Sequence, residues 1–170
     1  MEELSILTIK KFKDTIERIL HVPGNYRGGI LEMAVVADSR LQVEEIQNIL
    51  PQLLKALKQK GQIFQNVRFN YIFWKNQSIE TTVCPMMQAM LESFYQPYEK
   101  EADEKDFDRL TDHLKLFQAR AKIVLVLTNG KPVWQEEEQL KHMQPFLDKK
   151  LLVMQIKENA VTMYYRGREI

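Results

Sequence analysis

The residues best placed to do chemistry stand at the ends of apolar runs. Asp38, Ser39 and Arg40 follow the run at 30–37, and Asn129 follows the run at 123–127. Cys84 stands directly before Pro85, and proline favours the first turn of a helix. An aspartate in such a place offers a hard carboxylate for a cation or a proton. A cysteine at a helix N-terminus is favoured as thiolate by the helix dipole, but a thiolate nucleophile also needs a base and an oxyanion site. His21, His113 and His142 are scattered, and none falls on an element expected near Cys84. A lone cysteine is more often a buried packing residue. The histidines form no H-x-x-x-H spacing, so no zinc site is expected. The chain has no G-x-x-x-x-G-K-[ST] phosphate loop, and Gly28-Gly29 precede the first apolar run, on the wrong side for a dinucleotide fingerprint. A catalytic reading therefore reduces to Asp38, Cys84 and Asn129 around one crevice, and the expectation is a protein that is not an enzyme.

These residues need a scaffold, and the apolar pattern predicts one. ILEMAVVA at 30–37, IVLVL at 123–127 and LLVMQI at 151–156 are nearly continuous apolar runs, the pattern of strands covered on both faces. VRFNYIFW at 67–74, SIETTV at 78–83 and residues 161–165 read as further strands. Between them lie helical patterns. Residues 4–20 carry Ile9, Phe12, Ile16 and Ile19 at spacings of three and four, and 43–60 carry Ile46, Ile49, Leu50, Leu53, Leu54 and Leu57. Pro51 sits inside the second helix as a possible kink, and Gly61 is placed to cap it. Helices are also expected from Pro85 through Phe94, around Leu110, Leu114 and Phe117, and over 135–147. Buried strands alternating with helices imply crossovers and a mostly parallel sheet of about six strands, whose ligand crevice lies at the carboxyl ends of the strands. One domain over 1–170 is expected, with 1–25 as an N-terminal helical extension.

Three short stretches in this scaffold resemble the von Willebrand factor A (VWA) family. AVVADSRLQ at 34–42 looks like its Asp-x-Ser-x-Ser motif, CPMMQAM at 84–90 like its Thr-Pro-Leu helix start, and VLVLTNG at 124–130 like its Leu-Thr-Asp-Gly turn. The likeness covers roughly 30–170. It implies a doubly wound, Rossmann-like three-layer sandwich of strand order 3-2-1-4-5-6 with the short strand antiparallel. It also implies a magnesium ion held by the three motifs and shared with an acidic group of a partner protein. The ligands depart from that pattern. Asp38 keeps its position, while Arg40 and Gln42 replace the serines, Cys84 the threonine and Asn129 the second aspartate. Magnesium needs hard oxygen ligands, and guanidinium is a permanent cation, so no bound magnesium and no other cofactor is expected. Arg40 has three possible roles: to take the metal's place on Asp38, to bind a partner's carboxylate in a fork, or, the default for an arginine, to point into solvent.

Composition narrows the partners. The chain has 24 basic and 23 acidic residues, a formal net charge of +1, so no global field draws it to nucleic acid or to a membrane. Its hydrophobic content of 45% is that of a globular protein. No apolar run approaches a bilayer span, and the charged N-terminus lacks the apolar stretch of a signal peptide. A single cysteine favours a reducing compartment, the cytoplasm. Met86, Met87 and Met90 read as helix core, and the acidic stretch 97–109 as a solvated segment. Trp134 follows the third motif and either anchors an interface or caps the sheet. Together these features lead to an expected protein-binding surface of Asp38, Ser39, Arg40, Gln42, Cys84, Asn129 and Trp134, with another protein as partner.

Overall fold

A run of apolar residues that alternates between two covered faces forms the middle of a sheet, and β1 (Leu31–Asp38) does so here: every residue but Glu32 is buried. The computed structural model describes residues 4–38, 40–59, 67–75, 78–82, 110, 114, 120–130, 138, 141, 144–145, 149–158, 160–166 and 168–170. The further strands are β2 (Val67–Lys75), β3 (Ser78–Thr82), β4 (Ile123–Thr128), β5 (Leu151–Lys157), β6 (Ala160–Tyr165) and β7 (Arg168–Glu169). They form one sheet in the order β3-β2-β1-β4-β5-β6-β7. The inner strands β2, β1, β4 and β5 run parallel. β3, β6 and β7 are antiparallel to their neighbours. The seventh strand was not expected, because two residues are too short to leave a period-two pattern.

Side-chain alternation divides the core. Met33, Val35, Ala37, Leu125, Leu127, Leu152 and Met154 face α1 (Ile6–His21) and α2 (Val43–Lys58). Ala34, Val36, Val124, Val126 and Val153 face the other way, onto the helical residues Leu110 and Leu114. Both faces of the parallel strands are thus covered, which is why they read as continuous apolar runs. Pro51 lies within α2, which continues to Lys58. The expected cap at Gly61, the helix from Pro85 and the acidic stretch lie outside the described residues. In the stretch 135–147, Glu138, Lys141, Gln144 and Pro145 are helical and exposed.

α1 starts where the Ser5 hydroxyl accepts a hydrogen bond from the Thr8 N–H at 3.1 Å, an N-cap. Its apolar stripe packs into the core: Phe12, Ile16 and Ile19 are fully buried. Beyond it, Asn25 is buried and clamps three backbones together. Its Nδ2 donates to the carbonyls of Ile19, Lys122 and Lys149 at 2.8, 3.0 and 3.3 Å. Three carbonyls fix the amide's orientation, since the reverse would set oxygen against oxygen. Asn25 Oδ1 accepts no hydrogen bond. Among the described residues no helix is long and apolar enough to cross a membrane.

Candidate functional site

The parallel strands bring the ends of β1 and β4 side by side, with Ala37 paired to Leu127, so Asp38 and Thr128 close adjacent strands at the carboxyl end of the sheet. Both are buried. The Thr128 hydroxyl donates to Asp38 Oδ2 at 2.6 Å and accepts from the Gly130 N–H at 3.0 Å. The chain turns immediately after Asp38: the Arg40 N–H donates to Asp38 Oδ1 at 3.0 Å and the Leu41 N–H to the Asp38 carbonyl at 3.0 Å. An aspartate that bonds the N–H two residues on is the usual way such a turn is held.

That turn folds Arg40 back onto the carboxylate that precedes it. Its Nε lies 3.0 Å from both Asp38 oxygens and its Nη2 2.6 Å from Oδ2. The two side chains are only 10% and 3% exposed. A charge-assisted pair with several short donors is the strong form of such an interaction. Arg40 therefore does not point into solvent, the default for an arginine: the main-chain turn aims the side chain inward, and Asp38 supplies its counter-charge. Gly130 lies against the pair, since a Cβ there would stand 3.7 Å from Arg40 Nη2 and 3.5 Å from Thr128 Oγ1.

This donor set does not suit magnesium. A cation would have to compete for carboxylate oxygens that already accept from Arg40, from its main chain and from Thr128, and it would meet a guanidinium that cannot deprotonate. Among the described residues there is no group of three or more carboxylate, thiol or imidazole side chains that could hold a metal.

No family model, curated protein or solved structure matches this chain.

The other expected site residues fall differently. Gln42 is exposed and begins α2, its N–H donating to Glu45 Oε1 at 3.1 Å. Asn129 is half-buried, and its carbonyl accepts from Gln155 Nε2 at 3.4 Å. Gln155 Oε1 accepts in turn from the Tyr164 hydroxyl at 3.3 Å, so β5 and β6 brace the loop after β4. Burial, and then the neighbouring Glu169 carboxylate, push the Tyr164 phenol above its ordinary range. Ser39, Cys84 and Trp134 lie outside the described residues. The structure thus joins Asp38 and Arg40, sets Gln42 at the start of the adjoining helix, and carries Asn129 on the facing loop.

Thr128, Gly130 and Gln155 belong to the arrangement although the sequence reading did not choose them. A signal existed for two of them. Thr128 and Gln155 are the polar residues that interrupt the apolar runs of β4 and β5 near their carboxyl ends. A polar side chain there is positioned to bond across to a neighbouring strand end.

Proposed function

We propose that this chain is a doubly wound, VWA-type protein-interaction module that works without a metal, binding its partner through the loops at the carboxyl ends of the strands. The single observation that carries this reading is Arg40 seated on Asp38. Asp38 is where the resembled family places a metal ligand, and here a tethered guanidinium supplies the neutralising positive charge. The strand order and the covering of both sheet faces support the same reading. Loop residues are the usual carriers of binding on such scaffolds, and Gln42 and Asn129 flank the buried pair. The partner is another protein, recognised by shape and polar contacts around that pair rather than through a bridging ion. No observation favours catalysis by Asp38, whose oxygens are committed to donors in the resting fold.

Two measurements test it. Thermal unfolding in millimolar magnesium and in EDTA should coincide; a magnesium-dependent rise in Tm would overturn the metal-free claim. Affinity capture from a cell extract should be compared for wild type, Gln42→Arg and Asn129→Arg. A partner lost in both variants supports the loop surface, and identical captures in all three remove it.

A further inference from the structure

The net charge of +1 conceals an uneven distribution. Parallel strands all start at one end, and that end gathers cations. Arg27 precedes β1, Arg120 and Lys122 precede β4, and Lys149 and Lys150 precede β5. β6 runs back to the same end, where Arg168 of β7 pairs with Tyr165. The backbone locks these segments together: the Lys122 N–H donates to the Glu32 carbonyl, the Val124 N–H to the Lys150 carbonyl, and Asn25 bridges the carbonyls of Lys122 and Lys149. Arg27, Arg120, Lys149 and Arg168 are exposed. The ammonium groups sense one another, since Lys150 is held below its ordinary value by burial and then by Lys122 and Lys149. Of the described carboxylates on these strands, Glu32 is paired with Arg68 at 3.2 Å and Glu169 adjoins Arg168 in β7.

A second feature stands at the same end. Ile30, the residue before β1, is 63% exposed. It follows Gly28 and Gly29, whose φ of 96° and 86° are left-handed values that glycine adopts without strain. The Tyr26 hydroxyl donates to the Gly29 carbonyl at 2.8 Å and so pins the turn that presents Ile30. An exposed aliphatic side chain on a held loop, beside a cluster of several cations, suits an interface that is apolar within and anionic at its surface. Single-stranded nucleic acid would instead call for exposed aromatic platforms. Here the Tyr26 hydroxyl is tied to the loop, and Tyr165 is buried beneath the Arg18 guanidinium.

We propose that the end of the sheet where the parallel strands begin docks on an anionic lipid bilayer, with Ile30 entering the headgroup layer and the surrounding lysines and arginines meeting the lipid charges. β1 has eight residues, so this end lies about 25 Å from the Asp38 loops. A docked molecule would present those loops away from the membrane. The inference is independent of what the loops bind.

The test is co-sedimentation of the full chain with vesicles of phosphatidylcholine alone or with about 30% phosphatidylserine. Binding is expected only to the anionic vesicles and should be lost at high salt, where charges are screened. Arg27→Glu with Lys149→Glu should weaken it more than about tenfold, and Ile30→Asp by about tenfold. Glu44→Lys, an exposed change at the other end, should leave it intact. Ile30→Ser serves if the aspartate disturbs folding, which circular dichroism reports. Absence of binding to anionic vesicles, or binding unchanged in both sets of variants, overturns the proposal. So does tight binding of a labelled RNA oligonucleotide that Ile30→Asp leaves untouched while vesicles stay unbound.

Discussion

Removing the Arg40 side chain is the sharpest perturbation of the Asp38 site, and its cost can be worked from the geometry. Arg40→Ala deletes the Nε and Nη2 donors while leaving two others on Asp38, the residue-40 main-chain N–H and the Thr128 hydroxyl. The carboxylate is then buried without its counter-charge. Breaking a buried ion pair from one side costs about 3–5 kcal/mol. Two donors remain on Asp38, so the expected destabilisation lies toward the lower end, about 3–4 kcal/mol. Urea unfolding followed by circular dichroism at pH 7 reads this directly. Adding Asp38→Asn removes the charge and should recover most of the loss. A destabilisation below about 0.5 kcal/mol, as for an ordinary surface pair, or a double variant no more stable than Arg40→Ala alone, would refute the reasoning.

Two more substitutions probe the frame that holds both ends of the sheet. Asn25→Ala strands carbonyls of the β4 and β5 approaches that now accept from its amide, and should cost about 2–3 kcal/mol in urea unfolding; Asn25→Asp should be worse, since it sets a carboxylate against those oxygens, and two near-neutral variants would show that the clamp is idle. Tyr164→Phe should flatten the alkaline limb of the stability curve. The folded phenol holds its proton to higher pH than the unfolded one, so wild type loses stability as pH climbs above about 10. Lys150, shifted the opposite way, contributes a rising slope to both proteins and cancels in the comparison. Equal slopes in wild type and variant would contradict this account.

Much of the frame was legible because burial on both faces leaves a plain trace. β1, β4 and β5 are apolar at nearly every position, and α1 repeats its buried residues at helical spacing. The mixed, mostly parallel sheet follows from that trace. β7 leaves none, since its two residues are exposed and it exists only because a turn returns the chain onto β6. The fate of Arg40 was hidden for a different reason. Sequence gives its charge, whereas its direction depends on a turn in which the Arg40 N–H bonds the same carboxylate as its side chain. Thr128 left only a partial trace: it is the polar residue that closes the apolar run of β4, but a β-branched residue also ends a strand naturally, so its type alone does not give the partner of its hydroxyl. The gathering of cations at one end was hidden because net charge sums over the chain and discards position.

The pairing of Asp38 with Arg40 also bears on why an ion pair is kept in a place where stability alone would not require one. Apolar residues of similar volume often do as well or better than a buried salt bridge. What they cannot do is hold a turn by bonding its main chain. Asp38 Oδ1 accepts the Arg40 N–H, Oδ2 accepts from the neighbouring strand through Thr128, and Thr128 in turn accepts the Gly130 N–H. One carboxylate thus ties the loop after β1 to the loop after β4. A metal at such a position would impose comparable order by coordination, but only when bound. A guanidinium two residues along the same chain is always present, and its charge stays fixed across the physiological range. The order of the two loops then rests on groups of the chain itself: Asp38, Arg40 and Thr128.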